Sequence, residues 1–233
     1  MSWAVLARAE LVSLRRSPLV LVNAVVLPVA SGVGWVLLAR DAGHELGGDA
    51  MAMQVLMLLG LTTYAAATTT LVARRQERVL KRLRASTLTG GGVVAGLFCP
   101  YAGLIVIQTL LLVGVTVAAG GNPPERWWPL VVAVLAGAVL TMSLAVATAV
   151  VTPAPELAQL TTVPVFLVLF GGGLWLLNAG AASVPMLLVP GVPLAELVRL
   201  CWQPGSPVSS VLAVVVLSGV AGAVGFRAYR RLV

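Results

Sequence analysis

Residues 128 to 151, WPLVVAVLAGAVLTMSLAVATAVV, run for twenty-four positions without one charged side chain. A hydrocarbon core of about 30 Å takes roughly 20 helical residues to cross, so a run of this length reads as a membrane span. Five further runs share its character, at about 19 to 39, 51 to 72, 93 to 119, 158 to 178 and 207 to 226. None alternates polar with apolar positions, as the strands of a barrel with a polar lumen must. The expected fold is an all-α integral membrane protein, a single transmembrane domain over 1 to 233 with six transmembrane helices. With 59% hydrophobic and 10% charged residues, the chain also lacks the polar material to cover a soluble surface. The first run is long, carries Pro28 in its middle and lacks a small-residue cleavage pattern, so it is expected to stay in the mature chain.

Six crossings place both termini on one side. On that side lie Arg8, Arg15, Arg16, the six Lys/Arg between 74 and 84, Arg227, Arg230 and Arg231, twelve in all; only Arg40, Arg126 and Arg199 lie on the other. By the positive-inside rule the termini are cytoplasmic, in a multi-pass protein of the cell membrane. The same rule accounts for the net charge of +7 without nucleic acid as a partner. Cys99 and Cys201 fall on opposite sides of the membrane in this topology, so neither a disulfide nor a metal site is expected.

Three segments do not cross. Residues 1 to 17 space Trp3, Leu6, Ala7, Leu11 and Leu14 by three and four, with Arg8 and Arg15 on another face, which predicts an interfacial amphipathic elbow helix. Between 74 and 89, RRQERVLKRLRASTLT, helical geometry gathers Arg74, Arg75, Arg78, Lys81 and Arg82 within an arc of about 120° and sets Val79, Leu80 and Leu83 on a separate one. Two readings stand: an anchor whose charges each contribute on the order of 1 kcal/mol at anionic headgroups, or a rigid lever docking into a cytoplasmic partner. Residues 179 to 206 are apolar but interrupted by Pro185, Pro190 and Pro193, too broken for a seventh span. They are expected to form an outer hairpin of two short helices re-entering the membrane where protein shields their backbone. Trp127, Trp128 and Trp202 read as interfacial anchors.

At this point the residues meet a family. LKRLRASTLT at 80 to 89 resembles the signature that follows the second span in type-2 ABC transporter permeases, a Leu-x-x-Leu-Arg-x-Thr-Pro-Leu-Ser pattern, through Leu80, Leu83, Arg84, Leu88 and Thr89. It departs from the pattern at Arg78 and Val79, where the family often has Gly-Thr, and at Thr87, where it often has Pro. PELAQL at 155 to 160 resembles the family's Pro-Glu-x-Ala-Gln stretch, and VPGVPLAELVRL at 189 to 200 its outer Pro-rich segment ending in Arg. The order of parts along the chain is similar as well. The resemblance implies a coupling helix at 74 to 89, with Arg74, Arg75, Arg78, Lys81, Arg82 and Arg84 holding it against an ATPase or the headgroups and Val79 and Leu83 seating it. It implies an outer cap carrying Pro190, Pro193 and Arg199. The partners implied are two cytoplasmic ABC ATPase subunits, a second permease chain as homodimer or heterodimer, and membrane lipid.

What is missing narrows the chemistry. No Gly-x-x-x-x-Gly-Lys-Ser/Thr loop is present, so this chain is not expected to be an enzyme or to bind a cofactor; ATP and Mg would sit on the partner ATPase. Gly90, Gly91 and Gly92 read instead as a turn into the third span. The single histidine, His44, lies in an outer loop, which removes a serine protease of the membrane interior. No carboxylate or histidine lies within a span, as a proton- or sodium-driven carrier would need.

Polar uncharged residues do occupy the spans. Most such Thr and Ser groups bond their own helix; Asn23, Thr62, Tyr64 and Gln108 are the candidates to line a substrate path. Gly171, Gly172 and Gly173 allow either a bend or a close helix approach. The resulting expectation is the membrane subunit of an ATP-driven exporter moving an amphipathic or hydrophobic substrate, a drug or natural product before a lipid or glycan. The alternative is a non-transporting scaffold or assembly factor that recruits a cytoplasmic partner.

Overall fold

The computed structural model describes residues 22–41, 46–77 and 90–232. Helix α1 is π-helical over Val22–Val26 and α-helical over Leu27–Asp41. Helix α2 starts at Gly48–Leu58, passes through a π-helical stretch at Leu59–Ala65 and continues as α-helix through Ala66–Gln76. Helices α3 (Gly90–Ala118), α4 (Trp128–Val151) and α5 (Ala158–Ala179) follow, α5 entered through a 3₁₀ turn at Pro155–Leu157. A second 3₁₀ turn, Pro185–Leu188, leads to the short α6 (Gly191–Arg199), and α7 (Val208–Leu232) ends the described chain. No strand occurs among the described residues, and six helices are long and apolar enough to cross a membrane.

Helix α2 is the axis of the bundle. In its apolar span 83% of residues are buried, against 22% in α1 and in α7. It touches α1, α3, α4, α5 and α6, while α7 lies along α4. The outer helices turn Leu37, Leu38, Leu160, Leu167, Leu212 and Phe226 outward. Lipid asks for that surface, since hydrocarbon solvates an apolar side chain as well as the core does.

Contacts between helices are close where small residues permit. A Cβ on Gly137 of α4 would stand 2.6 Å from Leu59, and one on Gly191 would collide with the carbonyl of Leu169 in α5. Of the glycine run in α5, Gly172 and Gly173 are buried against α6 and α2, and the helix continues through them. The close-approach reading of that run holds. The turn expected at Gly90–Gly92 is corrected: these residues are the first turn of α3. Glycine costs about 1 kcal/mol per residue in a helix, and a chain entering hydrocarbon recovers more by closing its backbone hydrogen bonds.

The elbow at 1–17 and residues 78–89 lie outside the described residues. Arg74, Arg75 and Gln76 belong to the last turn of α2, so the membrane helix runs past the expected boundary at 72. Cys99 and Cys201 are free thiols, and burial pushes that of Cys201 up to about 11.

Candidate functional site

Three polar groupings occupy α2 from end to end. At its centre, Pro28 decides the first. Proline has no N–H, so the carbonyl of Ala24, four residues earlier, has no α-helical donor. In hydrocarbon an unsatisfied carbonyl costs several kcal/mol. Gln108 of α3 supplies its Nε2 at 2.8 Å, and the Thr62 hydroxyl lies 3.0 Å from the same carbonyl and 2.9 Å from Gln108 Oε1. The π-helical stretches of α1 and α2 face one another at this point. Next to it, Thr63 meets Thr141 of α4 at 2.6 Å, and Tyr64 meets Thr148 at 2.9 Å.

Thus Thr62 and Gln108 are brought together at the Ala24 carbonyl, while Tyr64 bonds α4 separately, and all three are fully or nearly fully buried. Thr68, Thr69 and Thr116 bond the carbonyl four residues back in their own helices. The side chain of Asn23 lies outside the described residues. Pro28 in the middle of an apolar run is the sequence signal for this grouping, because it announces an orphaned carbonyl at position 24.

At the end of α2 toward residues 78–89, Arg75 reaches across to the C-terminus of α4. Its Nη1 donates to the carbonyls of Ala149 at 2.6 Å and Val150 at 3.0 Å, and its Nη2 to those of Thr152 and Pro153. Gln76 adds a bond to Pro153 at 3.3 Å. The last carbonyls of a helix lack partners and carry its negative dipole end, so a guanidinium there satisfies both needs. Arg74 pairs with Glu77 at 3.1 Å. PELAQL follows directly on these carbonyls, so two of the stretches noted in the sequence are neighbours here. Arg78, Val79, Lys81, Arg82, Leu83 and Arg84 lie outside the described residues.

The opposite end holds α6, buried at every position except Glu196, which is half-buried. Pro190 caps it and Pro193 falls in its first turn, where a missing N–H costs nothing. Arg199 is 7% exposed and ties three elements. Its Nε stands 2.6 Å from Asp49 at the start of α2, its Nη1 3.5 Å from Glu196, and its Nη2 donates to the carbonyl of Gly180 after α5 at 3.1 Å. The Nε contact with Asp49 is one of charge, not an aligned hydrogen bond. Gly48 makes the approach possible, since a Cβ there would lie 2.9 Å from the Arg199 backbone. Burial, reinforced by the charge of Asp49, raises the Glu196 carboxyl above its ordinary value, against the opposing pull of Arg199.

Beside this cluster is a cavity of about 850 Å³, lined by Trp35, Asp49, Asn122, Leu177, Trp202 and Gln203 among others. Trp202 is more than an interfacial anchor: its Nε1 donates to the carbonyl of Asn122 at 2.7 Å. Trp127 and Trp128 are half exposed, as anchors would be. None of Thr62, Tyr64 and Gln108 lines this cavity. The described residues contain no cluster of His, Cys, Asp and Glu able to hold a metal.

Comparison with known proteins agrees with this architecture. The family model described as ABC-2 type transporter matches residues 1–180. No curated protein matches the sequence. The match covers well over half of the chain and contains α1 to α5 with the Arg75 contact, and members of this family are the membrane-spanning permease part of ABC transporters that work with ATPase subunits. A multi-pass bundle of six spanning helices whose first 180 residues fit that model belongs to the ABC-2 type transporter family.

Proposed function

We propose that this chain is the membrane subunit of an ATP-driven exporter, moving an amphipathic or hydrophobic substrate outward by alternating access. The single observation that carries the reading is the course of α2. One unbroken helix joins Arg75, fastened to α4, to Asp49, fastened to α6. At 1.5 Å per residue, the rise from Asp49 to Arg75 is about 39 Å. A push delivered at Arg74 and Arg75 enters this helix directly and reaches α6 without passing through a loop. In this reading two cytoplasmic ATPases bind ATP and Mg, a second permease chain completes the path, and the termini face the cytoplasm. A drug or natural product is the leading candidate for the substrate; a lipid or glycan is the lesser one.

The test is reconstitution with the cognate ATPase. Reversing charge at Arg78 and Lys81 should abolish permease-stimulated ATP hydrolysis while membrane insertion stays intact. Unchanged stimulation would remove the coupling role. Failure of any ATPase to co-purify would favour the scaffold reading.

A further inference from the structure

The cavity beside Arg199 belongs to none of the roles above. Its volume of about 850 Å³ suits a drug-sized ligand. Asp49 is the one charged residue among its described lining groups, and its side chain is 46% exposed. The guanidinium that would neutralise Asp49 is shared, because Arg199 also pairs with Glu196. With both carboxylates ionised, the trio carries one negative charge in excess. Arg40 and Asp41, and Glu125 and Arg126, are adjacent residues of opposite sign, so these four add no net charge.

Two indoles complete the walls, and both are held before any ligand arrives. Trp35 packs edge-on to Phe170, with centroids 6.4 Å apart and planes at 87°. Trp202 spends its N–H on the Asn122 carbonyl, so it offers a ligand its ring and no donor. Leu38 and Leu177 add aliphatic surface. A cation gains from ring faces and from the carboxylate; an anion finds no cationic side chain among the described lining residues. One turn deeper on the α2 face that presents Ala50 to the cavity stands Gln54. It is 1% exposed, and neither Nε2 nor Oε1 has a hydrogen-bond partner among the described residues. An unused amide lies below an acidic, aromatic chamber.

We propose that this cavity binds a monocationic amphipath, a quaternary onium or alkylammonium group on a hydrophobic body, with the charge at Asp49 and the body against Trp35 and Trp202. As a release site for cargo this rests on the exporter reading; as a binding site it does not.

The full chain in phosphatidylglycerol nanodiscs, without ATPase or nucleotide, tests it by equilibrium dialysis with tetraphenylphosphonium, empty discs serving as the blank. Saturable binding is expected, at least tenfold tighter than that of the isosteric anion tetraphenylborate. Asp49→Asn should weaken the cation about tenfold. Because that change also loosens Arg199, Trp35→Leu provides a second arm, weakening binding several-fold, with Trp35→Phe retaining most of it. Equal binding of cation and anion, or affinity unchanged in both Asp49→Asn and Trp35→Leu, overturns the site. Phosphatidylethanolamine added to the discs separates two sources of the same chemistry: displacement of the probe assigns the site to a lipid ammonium headgroup, and its persistence to a free cation. Onium binding without ATP-driven transport would sink the exporter reading alone. Transport without onium binding would sink this site alone.

Discussion

Pro28 stands one helical turn beyond Ala24, and the N–H that proline lacks is replaced at the Ala24 carbonyl by Gln108 Nε2 at 2.8 Å and the Thr62 hydroxyl at 3.0 Å. A defect in one helix has become the joint between three. Gln108→Leu should therefore cost about 1–3 kcal/mol, the penalty of an under-satisfied buried acceptor. In a Pro28→Ala background, where the restored backbone N–H can donate to the Ala24 carbonyl, the same substitution should cost less. Unfolding titrations of the two single variants and the double variant in detergent micelles measure the coupling, expected at about 0.5 kcal/mol or more.

Arg75 binds carbonyls through both arms of its guanidinium, and an ammonium cannot reproduce that fork. Arg75→Lys is expected to lose most of what Arg75→Ala loses, about 1–3 kcal/mol. Hydrogen exchange at the end of α4 should rise in both variants. Protection retained in the lysine variant would mean that charge at the helix terminus, without the directed bonds, is sufficient.

Gln54 gives a prediction of the opposite sign. A buried amide with no partner among the described residues destabilises the fold, so Gln54→Leu should raise stability by roughly 1–2 kcal/mol. Thermal unfolding checks this, and transport assays on the same variant check what the amide is kept for. A more stable protein with slower transport is the expected pair of results.

Glu196 makes the α6 end sensitive to pH. Its carboxyl is raised by burial, so between the ordinary glutamate range and the raised value the folded chain holds a proton that the unfolded chain has released. Its stabilising contribution is full below the ordinary value and falls as pH rises through the raised one. Acidification from neutral should accordingly increase stability through this group. Melting temperatures of Glu196→Gln and of the unaltered chain across that interval should converge at the acidic end.

The spans were legible because hydrophobic length leaves few alternatives: α4 begins and ends at the residues hydropathy assigns, Trp128 and Val151. Residues 179 to 206, where two short helices were expected, hold a 3₁₀ turn at Pro185–Leu188 and the single short helix α6. Other features depend on partners that no local pattern names. The basic run at 74 to 89 looks uniform in sequence, yet Arg75 is committed to α4 and Arg74 to Glu77. Thr62 and Gln108 were visible as polar groups at depth, but their purpose lies in Ala24, an alanine with no signal of its own. The glycines at 90 to 92 misled because glycine permits a turn without requiring one.

Leu59–Ala65 sits between the two fastened ends of α2. A π-helical turn stores one residue more than the α-helical turn it interrupts. Taking that residue up into regular α-helix would twist the Arg75 half about 100° around the axis relative to the Asp49 half. Deleting one residue within Leu59–Ala65 would therefore remove the stored residue and leave the two anchorages in phase, whereas a deletion within Ala66–Gln76 would turn one anchorage about 100° away from the other.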